Sequence, residues 1–511
     1  MAASLRELLE SSVRMSPDRV VLSGDGAELT WGRLHEQACR VAAALVRDRV
    51  KPQDRVLYVG KNDLRYFEIL FGCALAGAVL TPLNWRLAQN ELAAIAEDAQ
   101  AAIAIVDTDV VKSMQAGIKT VVALGPHENW LSYEQWCGPA EDPGVPARPP
   151  EIAFQLYTSG TTGRPKGAMF ANGTNLRVLL DKISVAWGLT PDDVSLVALP
   201  LFHMGGLAWA LASLSRGARC VIVRDFDPAG VLNTIQSANV TMAFFVPAML
   251  SAICAVPDVA ARRLGLRQVF YSGAPISPPA LIKAMASLRC EFVQIYGLTE
   301  ATGAFAQLKP DEHDPAGPRS HLLLSAGRPY PWVEVRAVAT KGGMDVPTGE
   351  VGEIWTRSEQ NLVGYWNDAE QTARVLTPDG WLRTGDLGRV DAEGRIFLVD
   401  RAKDLVISGG ENVYPAEVEK VLAAHPDLAE VAVIGVPHEK WGETVKAIAV
   451  ARPGTKPSQG AIIDFARERL AAFKCPTSVE FVPTLPHTAT GKVLKHVLRE
   501  PFWRGYARRI N

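Results

Sequence analysis

The sequence predicts a multidomain α/β protein on three observations. Short β-rich runs alternate with helical patterns through the middle of the chain. After about Pro331 the texture changes to strands and turns, and a compact α+β pattern follows Asp404. Alternation at this spacing means parallel sheets covered by helices. The expected architecture is a large N-terminal domain of layered, mostly parallel sheets with a small β-barrel-like subdomain, followed by a small mobile α+β domain. Composition agrees, since 48% of the 511 residues are hydrophobic and 53 Lys and Arg balance 55 Asp and Glu. A net charge of −2 excludes a basic nucleic-acid groove, and the apolar content excludes a disordered chain.

The elements follow in order. Residues 1–20 carry an amphipathic helix pattern and not a signal peptide, because no apolar run follows the charges. Residues 152–157 read as a strand ending in a Gly/Thr loop. Residues 195–200, 219–223, 241–246, 268–271 and 291–296 read as further strands, and Asp227-Pro228 and Ser277-Pro278 are cap-and-start signals for helices. Residues 194–215 carry no charge and could span a bilayer by length. Pro200, His203 and Gly205-Gly206 interrupt them, so they are expected in the core. Residues 332–339, 352–358, 380–388 and 394–401 read as short antiparallel strands. The last part predicts helices at 416–425 and 461–470 and strands at 430–436, 445–451 and 479–482. Seven scattered cysteines, none in a C-x-x-C pair, predict reduced thiols, with Cys290 and Cys475 structural. The final Arg-Arg-Ile-Asn carries no address or lipid anchor.

Polar or Gly-rich signatures follow several strands directly: TSGTTGRPKG after Tyr157, LFH after Pro200, SGAP after Tyr271 and GLTE after Tyr296. Ligands of open α/β sheets bind beyond the carboxyl ends of the strands, so these clusters are expected to share a cleft. The loop from Thr158 to Gly167 offers hydroxyls, backbone N–H groups and cations suited to phosphate oxygens. It is not a Walker A loop, because Lys166 lies between Pro165 and Gly167 and no Ser or Thr follows it.

These motifs, with GWLRTGDLG, DRAKDLVISGGENVYPAEVE and TATGKVLK in that order, resemble the adenylate-forming superfamily. The similarity runs from about Leu29 to Arg499 and is greatest to acyl-CoA synthetases of the fatty-acid type. It implies an N-terminal adenylation domain over 1–400, a hinge at 401–404 and a C-terminal lid domain over 405–511. It also implies activation of a carboxylic acid by ATP with Mg²⁺ to an acyl-adenylate, then transfer to coenzyme A.

The resemblance implies the following roles. Thr158, Ser159, Gly160, Thr161, Thr162, Gly163 and Lys166 grip the β- and γ-phosphates. Thr161 and Glu300 contact the metal, and Thr299 the α-phosphate. Gly273, Ala274, Pro275, Tyr296 and Gly297 wall the adenine slot, while Asp386 and Arg401 bind the ribose side. Lys492 is the catalytic lysine of the first half-reaction, Lys403 the hinge position, and Ser408, Gly409 and Gly410 receive the pantetheine thiol. His203 positions the carboxylate and opens an acyl pocket lined by Met204, Gly205, Val246, Ser272 and Gly297.

No Arg or Lys lies in the pocket segments, which argues against a dicarboxylate. A medium- or long-chain fatty acid is expected first, and an aromatic or alicyclic acid second. A carrier-protein thiol is the alternative acceptor, which the absence of an attached carrier after Lys492 disfavours. Neither a nucleic-acid partner nor an integral membrane segment is expected, and a homodimer is left open. The expected location is the cytoplasm, with peripheral membrane contact if the acid is long-chain. Two departures from the family pattern stand out: Pro486-His487-Thr488-Ala489 replaces a more usual Arg and Pro ahead of Thr490, and Gln53 stands where glycine is common.

Overall fold

A computed structural model describes residues 2–111, 114, 117–139, 151–158, 165–340, 342–408, 411–438, 441–488 and 491–504. The backbone groups into two units. The first comprises 1–323, 330–333 and 357–382, and the second 324–329, 334–356 and 383–511.

In the first unit, the strands expected between 194 and 296 form one sheet. Glu291–Tyr296, Gln268–Tyr271, Met242–Phe245, Val194–Val197, Arg219–Ile222 and Val20–Gly24 lie side by side in that order, each parallel to the next. Parallel strands buried on both faces need continuous apolar runs, as the wholly buried Met242–Phe245 shows. The uncharged segment resolves into the strand Val194–Val197 and the buried helix Met204–Ser215. Among the described residues no helix is long and apolar enough to cross a membrane. Asp227 caps the helix Pro228–Ser237 by accepting from Gly230 N–H, with proline at the first position as the sequence signals.

A second sheet in this unit places Val79–Leu83 parallel to both Arg55–Val59 and Ile152–Thr158. Ile152–Thr158 then turns back on itself to pair antiparallel with Lys166–Ala171. The helix Leu64–Ala76 is buried continuously from Tyr66 onward. It packs so closely on Trp31–Arg47 that a Cβ on Gly72 would lie 2.5 Å from Val41 Cβ. Gln53 has φ 71°, the left-handed conformation that explains why glycine is common there.

Among the described residues the second unit holds two sheets. Glu334–Val338, Gly352–Arg357, Trp381–Val390 and Ile396–Arg401 form a four-stranded sheet in that order. Among the described residues its ends do not pair, so the expected barrel-like subdomain is an open sheet. Four strands are too few to curl into closure. The other sheet centres on the antiparallel pair Leu428–His438 and Gly442–Ala451. The helices Pro415–Leu422 and Gln459–Arg467 bury Val418, Leu422 and Ile462 against Val433, Val445 and Val479. A terminal helix, Lys495–Trp503, was not expected, because Pro501 lies within it.

Two adjacent glycines separate packing from function. A Cβ on Gly206 would sit 2.3 Å from the Pro200 carbonyl oxygen, whereas one on Gly205 meets only Leu199 and Phe244 side chains at 3.5 Å or more. Gly206→Ala is expected to cost about 1–3 kcal/mol, read as a lowered Tm, and Gly205→Ala under about 0.5 kcal/mol. Equal Tm values for the two variants would contradict this packing.

Candidate active site

The phosphate-loop motif connects two antiparallel strands, Ile152–Thr158 and Lys166–Ala171. Thr158 and Lys166 face each other across its base in register, and the intervening Ser159, Gly160, Thr161, Thr162 and Gly163 lie outside the described residues. Gly167 lets the two strands close, since a Cβ there would meet Gln155 Nε2 at 2.4 Å. Across from the hairpin stands Glu300, half-buried. Its Oε1 accepts from Tyr365 O–H at 2.8 Å and from Thr158 O–H at 3.4 Å. Lys166 Nζ lies 5.3 Å from the centroid of the same Tyr365 ring and donates to Gln371 Oε1 at 2.5 Å. Partial burial lowers the Lys166 pKa, opposed by Asp368 and Glu300. Burial, reinforced by Glu300, raises that of Tyr365, so its phenol remains a donor.

Tyr365 is a functional candidate that sequence reasoning missed. The strand Gly364–Tyr365 joins the hairpin edge, Tyr365 opposite Ala168. The helix Ala369–Val375, capped by Asp368, presents Gln371 to Lys166. The Asp368 cap signal, three residues after Tyr365, was the available clue.

Glu300 is held by a turn that closes on its own backbone. Gly303 N–H bonds the Leu298 carbonyl at 3.1 Å and Phe305 N–H the Tyr296 carbonyl at 2.9 Å. Gly297 packs so tightly that a Cβ would fall 2.0 Å from the Gly303 carbonyl oxygen. Beneath lies a fully buried polar cluster. Asn175 donates to Thr302 Oγ1 at 3.3 Å and to the Gln360 and Asn361 carbonyls at 2.9 and 2.7 Å. Gln360 Nε2 in turn donates to the Ala301 and Ala304 carbonyls at 2.8 and 2.7 Å. Asn175 comes from a π-helical segment, Asn172–Leu176, whose wider turn is uncommon outside functional regions. Thr299 opens the short 3₁₀ turn Thr299–Ala301 that carries Glu300.

Of the remaining predicted residues of this unit, Tyr296 and Met204 adjoin the turn. Tyr296 is buried edge-on against Phe305, with ring centroids 4.7 Å apart. Gly273, at φ +89°, abuts Val246, whose Cγ1 lies 3.2 Å from where a Cβ would be. Ala274 and Pro275 follow it at the surface, and Ser272 N–H reaches the Phe245 carbonyl at 3.4 Å. Met204 Cγ lies 3.2 Å from the Cβ position of Gly303, so the pocket segment touches the Glu300 turn.

His203 precedes the helix Met204–Ser215, and among the described residues its buried Nε2 has no hydrogen-bond partner. Burial pulls its pKa from 6.5 down to about 4, and the nearby Arg86 cation adds to the shift. Arg86 comes from outside the pocket segments and was missed by their composition. Its guanidinium stacks on Trp85 with 4.3 Å to the ring centroid.

In the second unit, Asp386 is buried and Arg401 stands directly opposite it on the neighbouring strand, Nε to Oδ1 3.1 Å. Gly385 at φ +71° and the Thr384 hydroxyl, which donates to the Ile354 carbonyl at 2.6 Å, shape the bend before Asp386. Lys403 lies in the 3₁₀ turn Ala402–Asp404. Ser408 is buried at the end of the strand Val406–Ser408, while Gly409 and Gly410 lie outside the described residues. Lys492 sits on a turn in which Thr488 N–H bonds the Lys492 carbonyl at 2.7 Å and Lys492 N–H bonds Thr488 Oγ1 at 3.0 Å. The departure at Thr488 therefore clamps the lysine's backbone.

Among the described residues no group of three or more His, Cys, Asp or Glu could hold a metal. Glu300 with neighbouring hydroxyls still fits Mg²⁺, a hard ion that keeps waters and is commonly held by one or two carboxylates plus substrate phosphates.

The profile of the AMP-binding enzyme family matches residues 9–366, and that of the AMP-binding enzyme C-terminal domain matches 417–492. The fatty acid–[acyl-carrier-protein] ligase ScoC of Streptomyces coeruleorubidus is 40% identical over 95% of this chain and 94% of its own. A feruloyl-CoA synthase of an Amycolatopsis species is 39% identical over 96% of this chain and 97% of its own. The crystal structure of ATP-bound MatB from Rhodopseudomonas palustris superposes with a TM-score of 0.89 at 31% identity, covering 99% of this chain and 100% of that one.

The shifted His203 has a pH consequence. Between pH 6.5 and about 4 the unfolded chain binds a proton that the folded one refuses, so stability rises with pH across that window. The contribution is complete above pH 6.5 and lost as pH falls through about 4. His203→Gln is expected to lose less thermal stability over this window than the parent; parallel profiles would mean that the ring titrates normally.

Proposed function

This chain belongs to the AMP-binding enzyme family, and we propose that it is an acid–thiol ligase working in two steps through an acyl-adenylate. The acid proposed is a medium- or long-chain fatty acid, and the thiol that of coenzyme A. The observation that carries the reading is Glu300, fixed beside the Thr158–Lys166 hairpin and tied to it by Tyr365 and Thr158.

The first step joins an anionic carboxylate to an anionic α-phosphate and releases pyrophosphate. Lys166 and the hairpin N–H groups are proposed to neutralise the departing phosphates, since fixed donors aimed at developing charge lower the barrier most. Binding exchanges the Gln371 contact of Lys166 for phosphate oxygens. Glu300 and Thr161 are the proposed Mg²⁺ ligands; the ion supplies charge neutralisation at the phosphates. Tyr296 and the Gly273 wall offer aromatic and backbone surface to adenine, and Asp386, with two carboxylate oxygens, suits the vicinal hydroxyls of ribose.

His203 is neutral near pH 7 and the attacking carboxylate is already ionised, so His203 positions and does not act as a base. Lys492 is assigned the first step, as a cation for the crowded negative charge of the transition state. Thioester formation then needs Lys492 withdrawn and a thiol admitted, which assigns Lys403 the hinge and the Ser408 turn the pantetheine approach.

A carrier-protein thiol is the second reading for the acceptor, supported by the similarity to a fatty acid–[acyl-carrier-protein] ligase. An aromatic acid is the second reading for the substrate, supported by the similarity to a feruloyl-CoA synthase. Arg86 beside His203 adds a dicarboxylate to the acids worth testing.

Product analysis across short, medium, long-chain, aromatic and dicarboxylic acids, with coenzyme A or a carrier protein, tests the proposal. A fatty acid with coenzyme A is expected to give the fastest thioester formation. Lys492→Ala is expected to slow adenylate formation by about 10²–10³ or more while sparing thioester synthesis from supplied acyl-adenylate. Equal loss in both steps would overturn the role of Lys492, and carrier-only thioester formation would replace coenzyme A as acceptor.

A further inference from the structure

Asp400 and Ala416 lie on opposite sides of the proposed hinge, yet they are bonded to each other. The Asp400 carboxylate accepts from Ala416 N–H through Oδ2 at 2.7 Å and from Arg401 N–H through Oδ1 at 2.7 Å. Ala416 belongs to the first turn of the helix Pro415–Leu422, and among the described residues the preceding Tyr414 makes no side-chain cap bond. The first N–H groups of a helix lack intrahelical acceptors, and a carboxylate there also meets the positive end of the helix dipole. This helix therefore takes a cap from a residue 16 positions upstream, across the turn Ala402–Asp404.

Lys495 also attracts the Asp400 carboxylate from across the hinge, but two strong ion pairs nearby lie wholly on its far side. Lys495 Nζ pairs with Glu419 Oε1 at 2.7 Å, and Arg499 Nη2 with Asp404 Oδ1 at 2.7 Å. Each joins residues that follow Lys403, so rotation about Lys403 leaves both intact. Asp400 is fixed on the preceding side, because its strand Ile396–Arg401 is zipped to Trp381–Val390 through Asp386 opposite Arg401. Rotation must change the distance from Asp400 to Ala416.

We propose that Asp400 is a positioning residue whose carboxylate latches the helix Pro415–Leu422 in one of two domain orientations and so sets the balance between the two half-reactions. The proposal rests on the hinge reading given above. A contact made in one state only shifts the populations by its own worth, about tenfold for a helix cap.

Three variants of the full chain test it: Asp400→Ala removes the acceptor, Ala416→Pro the donor, and Lys403→Pro fixes φ at the hinge. Proline is tolerated near a helix start, and this chain already begins the helix Pro278–Leu288 with Pro278-Pro279. Single-turnover rates are measured for adenylate formation from ATP and acid, and for thioester formation from supplied acyl-adenylate and coenzyme A. Asp400→Ala and Ala416→Pro are expected to shift the ratio of the two rates in the same direction by about tenfold. Lys403→Pro is expected to block one step. Proportional loss in both steps, or opposite shifts in the two latch variants, overturns the latch. If Lys403→Pro blocks one step while the latch variants leave the ratio unchanged, the latch fails and the hinge stands. If Lys403→Pro slows neither step, the hinge reading fails and the latch with it.

Discussion

The turn from Tyr296 to Phe305 exists because Gly297 has no side chain. With a Cβ 2.0 Å from the Gly303 carbonyl oxygen, backbone could not lie against backbone there. The turn fixes Glu300 opposite the phosphate hairpin, sets Gly303 against Met204 of the pocket segment, and places Tyr296 against Phe305. The residues proposed above for phosphate, adenine and acyl groups thus all meet this one loop, and a shift in it would disturb all three proposed roles.

Buried polar groups hold the loop in place. Asn175, Thr302 and Gln360 are wholly buried; Gln360 donates to the Ala301 and Ala304 carbonyls of the turn, and Asn175 donates to the Gln360 and Asn361 carbonyls beside it. Such a cluster is costly if half made and specific when complete. The positive φ of Thr302, +54°, is held within it, with the Thr302 hydroxyl donating to the Gln360 carbonyl at 2.5 Å.

Local signals carried most of the fold. Apolar runs at strand spacing and cap pairs such as Asp227-Pro228 state their geometry within a few residues, and the parallel sheet around Val194–Val197 formed as read. What depends on chain closure did not show. Strand texture after Pro331 looks alike in a barrel and in an open sheet, because sheet closure depends on which edges meet. The helix Lys495–Trp503 was hidden by Pro501 and is held by Glu419 and Asp404, distant in sequence. Linear motifs single out Glu300, Asp386 and Lys492 as candidates, whereas Tyr365, Gln360 and Asn175, around the Glu300 turn, and Arg86, beside His203, come from segments without a motif. Their relevance is a matter of three-dimensional distance, which a single sequence does not contain.

The central claim is that the acid attacks the α-phosphate of ATP before any thiol takes part. Exchange of labelled pyrophosphate into ATP, measured with acid and Mg²⁺ in the absence of coenzyme A, tests it most directly. The account predicts acid-dependent exchange, abolished by Glu300→Ala and Lys492→Ala and indifferent to Ser408→Ala. Exchange that requires coenzyme A, or none with any acid that the enzyme converts to a thioester, would contradict it.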